Sequence, residues 1–374
     1  MNLLYVPVMG AKRGEFTALT NLSGSISEKV MPLFELPPQK PDVRLFEKPI
    51  LRSAIGAGKA WADRLAFLDI SKWKPNARTE SGIHVLEYAF SVFRSSGVPV
   101  QPVVGYDRWD DPAYSQALKN IQTVAQVTPC IRLDREAIED DIHDVAYFSE
   151  RMNDIMESLN TGPKNCYVLL DFGSVSTTAV PSMISDIEHA VSVLRDLGFG
   201  MVIVVGGSMP ASVNEAVSTR NSEGCIPRIE MQAWKAVFTA SKDYSIVFGD
   251  YVIRNPDAIE GVIAPDANAK IRYTISNQYF VVRGHSKRLE SLTIQNKRLC
   301  ATLVSSVHYM RMLPPFSWGD SEISNCSVGI REIRDPTTMI AVDSNHHVSA
   351  VVSEVFEHQR TVVPALTTGA ILAS

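Results

Sequence analysis

Asp134, Asp171 and Asp250 stand at the ends of three apolar runs, and each is a carboxylate able to act as a general base or to ligate a metal. Lys12, Arg13 and Arg132 sit in the same kind of place and bring cations that could clamp an anion. Glu35, Asp69 and Tyr106 occupy equivalent ends and complete a mixed polar set. Arg132 and Asp134 are two residues apart, so in a strand they point to one face and could form a positioned ion pair. Gly206, Gly207 and Ser208 follow the seventh run and lead into Met209-Pro210. Two glycines let backbone N–H groups approach a phosphate, Ser208 could cap a helix, and Pro210 suits its first turn. An ordinary tight turn explains the same residues equally well. Farther on, Arg272 and Arg283, with Arg254, lie near Tyr273 and Tyr279. That mixture suits phosphate or base contacts, although cross-strand Tyr–Arg pairs are the simpler account. For any single acid, helix capping or pairing with a nearby Arg is simpler than catalysis.

The elements that must position these residues are short and regular. Apolar runs occupy 3–8, 30–36, 65–70, 98–105, 128–134, 166–172, 200–206 and 244–251. Most are near-continuous rather than alternating, the pattern of strands buried on both faces. Helical stretches fall at 51–64, 78–96, 111–126, 143–160, 182–198 and 227–240. Eight alternations predict a (β/α)8 TIM-barrel-like fold, with an open doubly wound sheet as the alternative. Every candidate above except the Arg254, Arg272 and Arg283 group then falls at the C-terminal end of a strand or in the turn after it, where barrels build their sites.

The last third departs from this rhythm. Residues 270–283 alternate and predict a β-hairpin turning at Ser276-Asn277. A helix at 287–311 is expected to close the barrel as its eighth outer helix. A strand near 337–342 and a helix over 346–359 follow. The chain therefore reads as one barrel domain, with 1–265 the core barrel and 266–374 the hairpin, closing helix and helical cap. Trp318-Gly319-Asp320 is expected to be a packed turn with Asp320 capping a helix. The adjacent His346 and His347 diverge too much to chelate a metal together, so one of them facing the barrel is the expectation.

Composition narrows the function classes. A net charge of -5 argues against a protein that coats nucleic acid, because that binding needs excess Lys and Arg. No apolar run reaches membrane-spanning length, and MNLLYVPVMG lacks the basic start and cleavage site of a signal peptide. Five scattered cysteines without a C-x-x-C pair suggest neither a zinc site nor a disulfide framework. Buried thiols in a reducing cytoplasm are expected. No Walker loop, dinucleotide loop or G-x-S-x-G elbow is present, and no cofactor is indicated.

Four segments carry a family resemblance: YVPVMGAKRGEF near the start, PLFELPP at 32–38, FSWGD at 316–320 and NHH at 345–347. Together they resemble the Beta-protein family of bacteria and phages, over essentially the whole chain. The resemblance implies a barrel-type fold and, from the phage-related gene neighbourhoods of such proteins, a part in phage–host conflict. It implies no reaction. Two functions are expected. One is a ligand- or partner-binding component of an antiphage system, recognising a phosphorylated small molecule or a protein from the same gene neighbourhood. The other is a barrel hydrolase acting on a phosphorylated or nucleotide substrate by acid–base or metal-assisted chemistry.

Overall fold

The computed structural model describes residues 3–38, 45–241, 244–258 and 266–371, with side chains through 362. Eight parallel strands close into a ring: β1 (Tyr5–Gly10), β2 (Leu33–Glu35), β3 (Ala66–Asp69), β4 (Val100–Gly105), β5 (Cys130–Leu133), β6 (Tyr167–Ser174), β7 (Met201–Gly207) and, after an excursion, β9 (Ser245–Asp250). All eight expected runs supply a strand. β1 pairs with both β2 and β9, which closes the ring and rules out the open sheet. Alternation along each strand separates two cores. Val6, Val8, Leu33, Phe67, Val103, Cys130, Leu169, Ile203 and Val247 fill the barrel interior. Their neighbours, among them Phe34, Leu68, Val104, Val168 and Phe248, pack against the outer helices.

The helices between strands follow the apolar spacing. Helix Val85–Ser95 buries Leu86, Ala89, Phe90 and Phe93 on one face and is capped by His84, whose ring accepts from the Leu86 N–H. It begins seven residues later than the expected 78, because residues up to His84 form a bridged turn. Asp111 and Asp144 cap the helices Pro112–Val124 and Val145–Ser158.

The hairpin forms as β10 (Asn268–Ile275) and β11 (Gln278–Ser286), turning through Asn277 with φ of +57°. β8 (Ser222–Pro227), unforeseen, pairs antiparallel with β11 to make a three-stranded sheet. This sheet therefore draws one strand from inside the 1–265 segment. Helices Leu292–Ser305 and Trp318–Val328 pack on it through Leu299, Cys300, Leu303, Ile323 and Cys326, forming a separate cap core. Helix Leu292–Ser305 thus does not close the barrel. That place belongs to the helix Pro336–Ile371, whose Val348, Val351, Val352 and Val355 join the outer barrel core. The strand expected near 337–342 is the start of this helix. Asp335 caps it by accepting from the Thr338 N–H, and Met339 and Val342 turn to the cap core. Of the five cysteines, Cys225 is exposed rather than buried, since it lies on the outward face of β8.

The NHH segment is where the barrel and the cap meet. Three consecutive helical residues project about 100° apart, so each reaches a different neighbour. Asn345 donates to the Ala18 carbonyl and accepts from the Gly319 N–H. His346 lies between Asp320 and the Thr274 carbonyl, stacked on Tyr273. His347 faces the barrel, between Thr274 and Asp250. Asp320 accepts from Tyr273 and Ser317, and Ser317 rather than Asp320 caps the helix.

Candidate functional site

At the C-terminal ends of the strands the barrel interior changes from apolar to charged. Arg132 on β5 lies at the centre. Its Nε and Nη2 donate to Asp171 Oδ2 at 2.9 and 2.6 Å, and Nη2 also donates to the Tyr251 hydroxyl at 2.9 Å. Its Nη1 donates to Glu35 Oε1 at 3.1 Å and to Asp69 Oδ2 at 2.5 Å. A guanidinium has five N–H donors, and all five are committed. Tyr251 in turn donates to Asp171, and Asp171 Oδ1 accepts from the Gly173 N–H.

Two further arginines balance the acids. Arg108 donates to Asp69 Oδ1 at 3.1 Å, and Arg254 to Glu35 Oε2 at 2.6 Å. Arg108 reaches Asp69 because Gly105 leaves the space open. A Cβ there would fall 2.2 Å from the Arg108 guanidinium. Three cations thus face three carboxylates in a buried, neutral lattice. Burial opposes the ionisation of Glu35, but Arg254 and Arg132 overcome it and hold the carboxyl well below the usual range. Burial works against the charge on Arg132 too, and the surrounding acids, Asp171 foremost, keep it protonated.

The three candidate catalytic acids are not together. Asp171 belongs to this lattice. Asp134 caps the helix Arg135–Glu139, accepting from the Ala137 N–H, and forms no pair with Arg132. Asp250 leaves β9 on the outer face, since its inward neighbour is Tyr251, and strand neighbours point opposite ways. There Asp250 meets His347 at 2.9 Å, Arg228 at 3.4 Å and the Tyr5 hydroxyl. Burial opposes its charge, while His347, Arg228 and Tyr5 lower its pKa. Arg228 also donates to Glu354 at 2.6 Å, tying the C-terminal helix to the barrel.

Gly206 and Gly207 lie within β7, and Gly206 pairs with Asp250. Ser208 caps no helix at Pro210. Its buried hydroxyl donates to Glu230 and accepts from the Ile229 N–H at 2.8 Å. The two glycines and the serine thus brace the sheet and the helix Ile229–Ala240 instead of lining an open phosphate loop. Tyr106 packs on Phe148 beneath Arg151, away from the lattice. Arg283 is buried and donates to the Val217 and Ser218 carbonyls, a purely local tie.

Lys12 and Arg13 lie at the turn after β1, where the Lys12 side chain runs beside Gly10. Lys12 immediately precedes the helix Arg13–Thr20, and Arg13 is exposed. They line a cavity of about 360 Å³ beside the mouth, together with Tyr251, Arg254 and Arg272. The C-terminal helix forms its far wall through Thr337, Ile340 and Ser344. Arg272 is held by Asp343 at 3.1 Å and by the Ile253 carbonyl. Tyr251, Arg254 and Arg108 matter here more than their sequence context suggests. Gly105 three residues before Arg108, and the in–out alternation across Asp250-Tyr251, are the available signals. Among the described residues no cluster of three or more His, Cys, Asp or Glu side chains could hold a metal, and no helix is long and apolar enough to cross a membrane.

The closed ring of eight parallel strands, with a charged layer across its C-terminal end, defines a (β/α)8-barrel protein with a docked sheet-and-helix cap. The chain belongs to the Beta protein family, whose model matches residues 5–353. No curated protein matches it. Among solved structures it is similar to a Yersinia pestis DHPS with a pterine-sulfa conjugate, at TM-score 0.39 and 8% identity, covering 68% of this chain and 88% of that one. It is also similar to triosephosphate isomerase from Bartonella henselae, at TM-score 0.34 and 10% identity, covering 66% and 91%. The barrel assignment rests on the strand pairing, not on these likenesses.

Proposed function

We propose that the protein is a binding component of a bacterial antiphage system, and that it captures a phosphorylated small molecule in the cavity beside the barrel mouth. The observation that carries the binding reading is the placing of cations around the cavity. The acids of the mouth are neutralised within one lattice, and Arg254, its outermost cation, lines the adjoining cavity together with Lys12, Arg13 and the Asp343-held Arg272. A phosphate entering there meets cations without having to displace Arg132 from five hydrogen bonds. The hydrolase alternative receives less support, because Asp134, Asp171 and Asp250 do not converge and each already serves as a cap or an ion-pair partner. The defence role rests on family membership and on the phage-related surroundings that the resemblance implies.

Thermal-shift measurements with inorganic phosphate, sugar phosphates, nucleotides, the matching uncharged nucleosides and divalent metals test the binding reading. Phosphate-bearing compounds raise the melting temperature and come back chemically unchanged, while nucleosides do nothing. No shift across the phosphates, or their hydrolysis, contradicts it. Plating phage on cells with and without the intact gene neighbourhood tests the defence role. A lower plating efficiency that disappears when this gene is deleted supports it, and equal plating refutes it.

A further inference from the structure

The cavity at Lys12 and Arg13 does not end at the barrel. Arg272 forms part of its wall and also lines two further hollows, one of about 110 Å³ and one of about 460 Å³, that run over β10 toward the helix Leu292–Ser305. Arg254 is shared by the first and the small hollow, and Lys270 by the small and the large. The shared walls make one cleft with two lobes and a neck at Arg272. Five cations line it: Lys12, Arg13, Arg254, Arg272 and Lys270. Against them stand four acids: Glu15 in the first lobe, Asp266 in the second, and Glu35 and Asp343, which pair with Arg254 and Arg272.

Lys270 is the unusual member. It is half-buried on β10, and its ammonium makes no hydrogen bond or ion pair among the described residues. Burial and the neighbouring Arg272 lower its pKa to about 8, so the site holds a cation at a cost that an incoming anion would relieve. Between the cationic positions the walls are apolar, with Ile253 and Ile340 in one lobe and Met339 and Leu292 in the other. A bare polyphosphate would leave those walls uncovered, whereas nucleobases would fill them.

We infer that the cleft takes one extended ligand, a short oligonucleotide, with one phosphate in the lobe of Lys12 and Arg13 and another at Lys270. This rests on the anion-binding reading of the first lobe. It adds the second lobe, the polyvalent ligand and the part played by Lys270.

Calorimetric titrations of the full chain with AMP, the 5′-phosphorylated dinucleotide pApA and tripolyphosphate test it. Wild type binds pApA about tenfold or more tighter than AMP, because the second phosphate engages from an already bound molecule. Lys270→Ala removes that gain and leaves AMP affinity unchanged, which also shows that the variant is folded. Lys270→Arg keeps the gain. If AMP binds and pApA binds no tighter, or if Lys270→Ala retains the full gain, the two-lobe site is wrong while the first-lobe reading stands. Tripolyphosphate binding as tightly as pApA overturns the oligonucleotide assignment. No binding by any of the three overturns both readings.

Discussion

Arg132 connects more of the mouth than any other side chain, and its substitution has a calculable consequence. Arg132→Ala leaves Glu35, Asp69 and Asp171 buried without their shared partner. Uncompensated buried charge of this kind costs about 3–5 kcal/mol, to be read by urea denaturation. Asp134→Ala provides the contrast at the same end of the barrel. It removes only a helix cap, so a loss of about 1 kcal/mol is expected. A loss as large as that of Arg132→Ala would place Asp134 in the lattice after all. Glu35 sets the pH dependence. Its folded carboxyl ionises below its ordinary value, so the stabilising form is the carboxylate. That contribution is complete above the ordinary glutamate pKa of about 4.3 and fades as pH falls below it toward the folded value. Glu35→Gln is expected to flatten the acid limb of the stability–pH curve, and an unchanged limb would remove Glu35 from this role.

Among the elements, the cap and the C-terminal helix depend on close backbone approach. A Cβ on Gly319 would fall 2.5 Å from the Val342 carbonyl oxygen and 3.0 Å from the His346 nitrogen. Gly319→Ala must push helix Trp318–Val328 off helix Pro336–Ile371, at a cost of about 1–3 kcal/mol. Gly24→Ala is the control, since nothing lies within 4 Å of the added methyl; its melting temperature is expected to stay within a degree or two of wild type. Equal effects would mean that the two helices do not meet as closely as described. The elements themselves were legible to very different degrees. Strands buried on both faces announce themselves as apolar runs, so all eight barrel strands could be found from residue type alone. β8 could not, because SEGCIP becomes a strand only by pairing with β11. The start of the C-terminal helix misled for a related reason. Thr337, Thr338, Ile340 and Val342 are β-branched and strand-like, and the Asp335 cap, Pro336 at the first helical position and the packing of Met339 and Val342 make them helical.

The whole molecule is a barrel whose eighth outer helix arrives late, after the chain has built a sheet and two helices on the way. Sequence order therefore suggested the wrong closing helix, since proximity in space is decided by which apolar faces remain uncovered. The same limit applied to the site. That polar residues gather at the strand ends follows from alternation. Whether a given acid faces the axis, as Asp171 does, or the outer helices, as Asp250 does, turns on a one-residue difference in parity that composition does not carry. The basic cavity was visible only in part, because Lys12 and Arg13 meet Arg254 and Arg272 through folding.

An anion belongs beside the mouth, not in it. Tungstate is a phosphate-like oxyanion with strong anomalous scattering, so crystals soaked in it locate the anion. An anomalous peak is expected among Lys12, Arg13 and Arg254, absent from Lys12→Ala, Arg13→Ala crystals, with the Arg132 lattice undisturbed. A peak seated against Arg132 with its bonds to Asp171 broken, or no peak in the basic cavity, would contradict it.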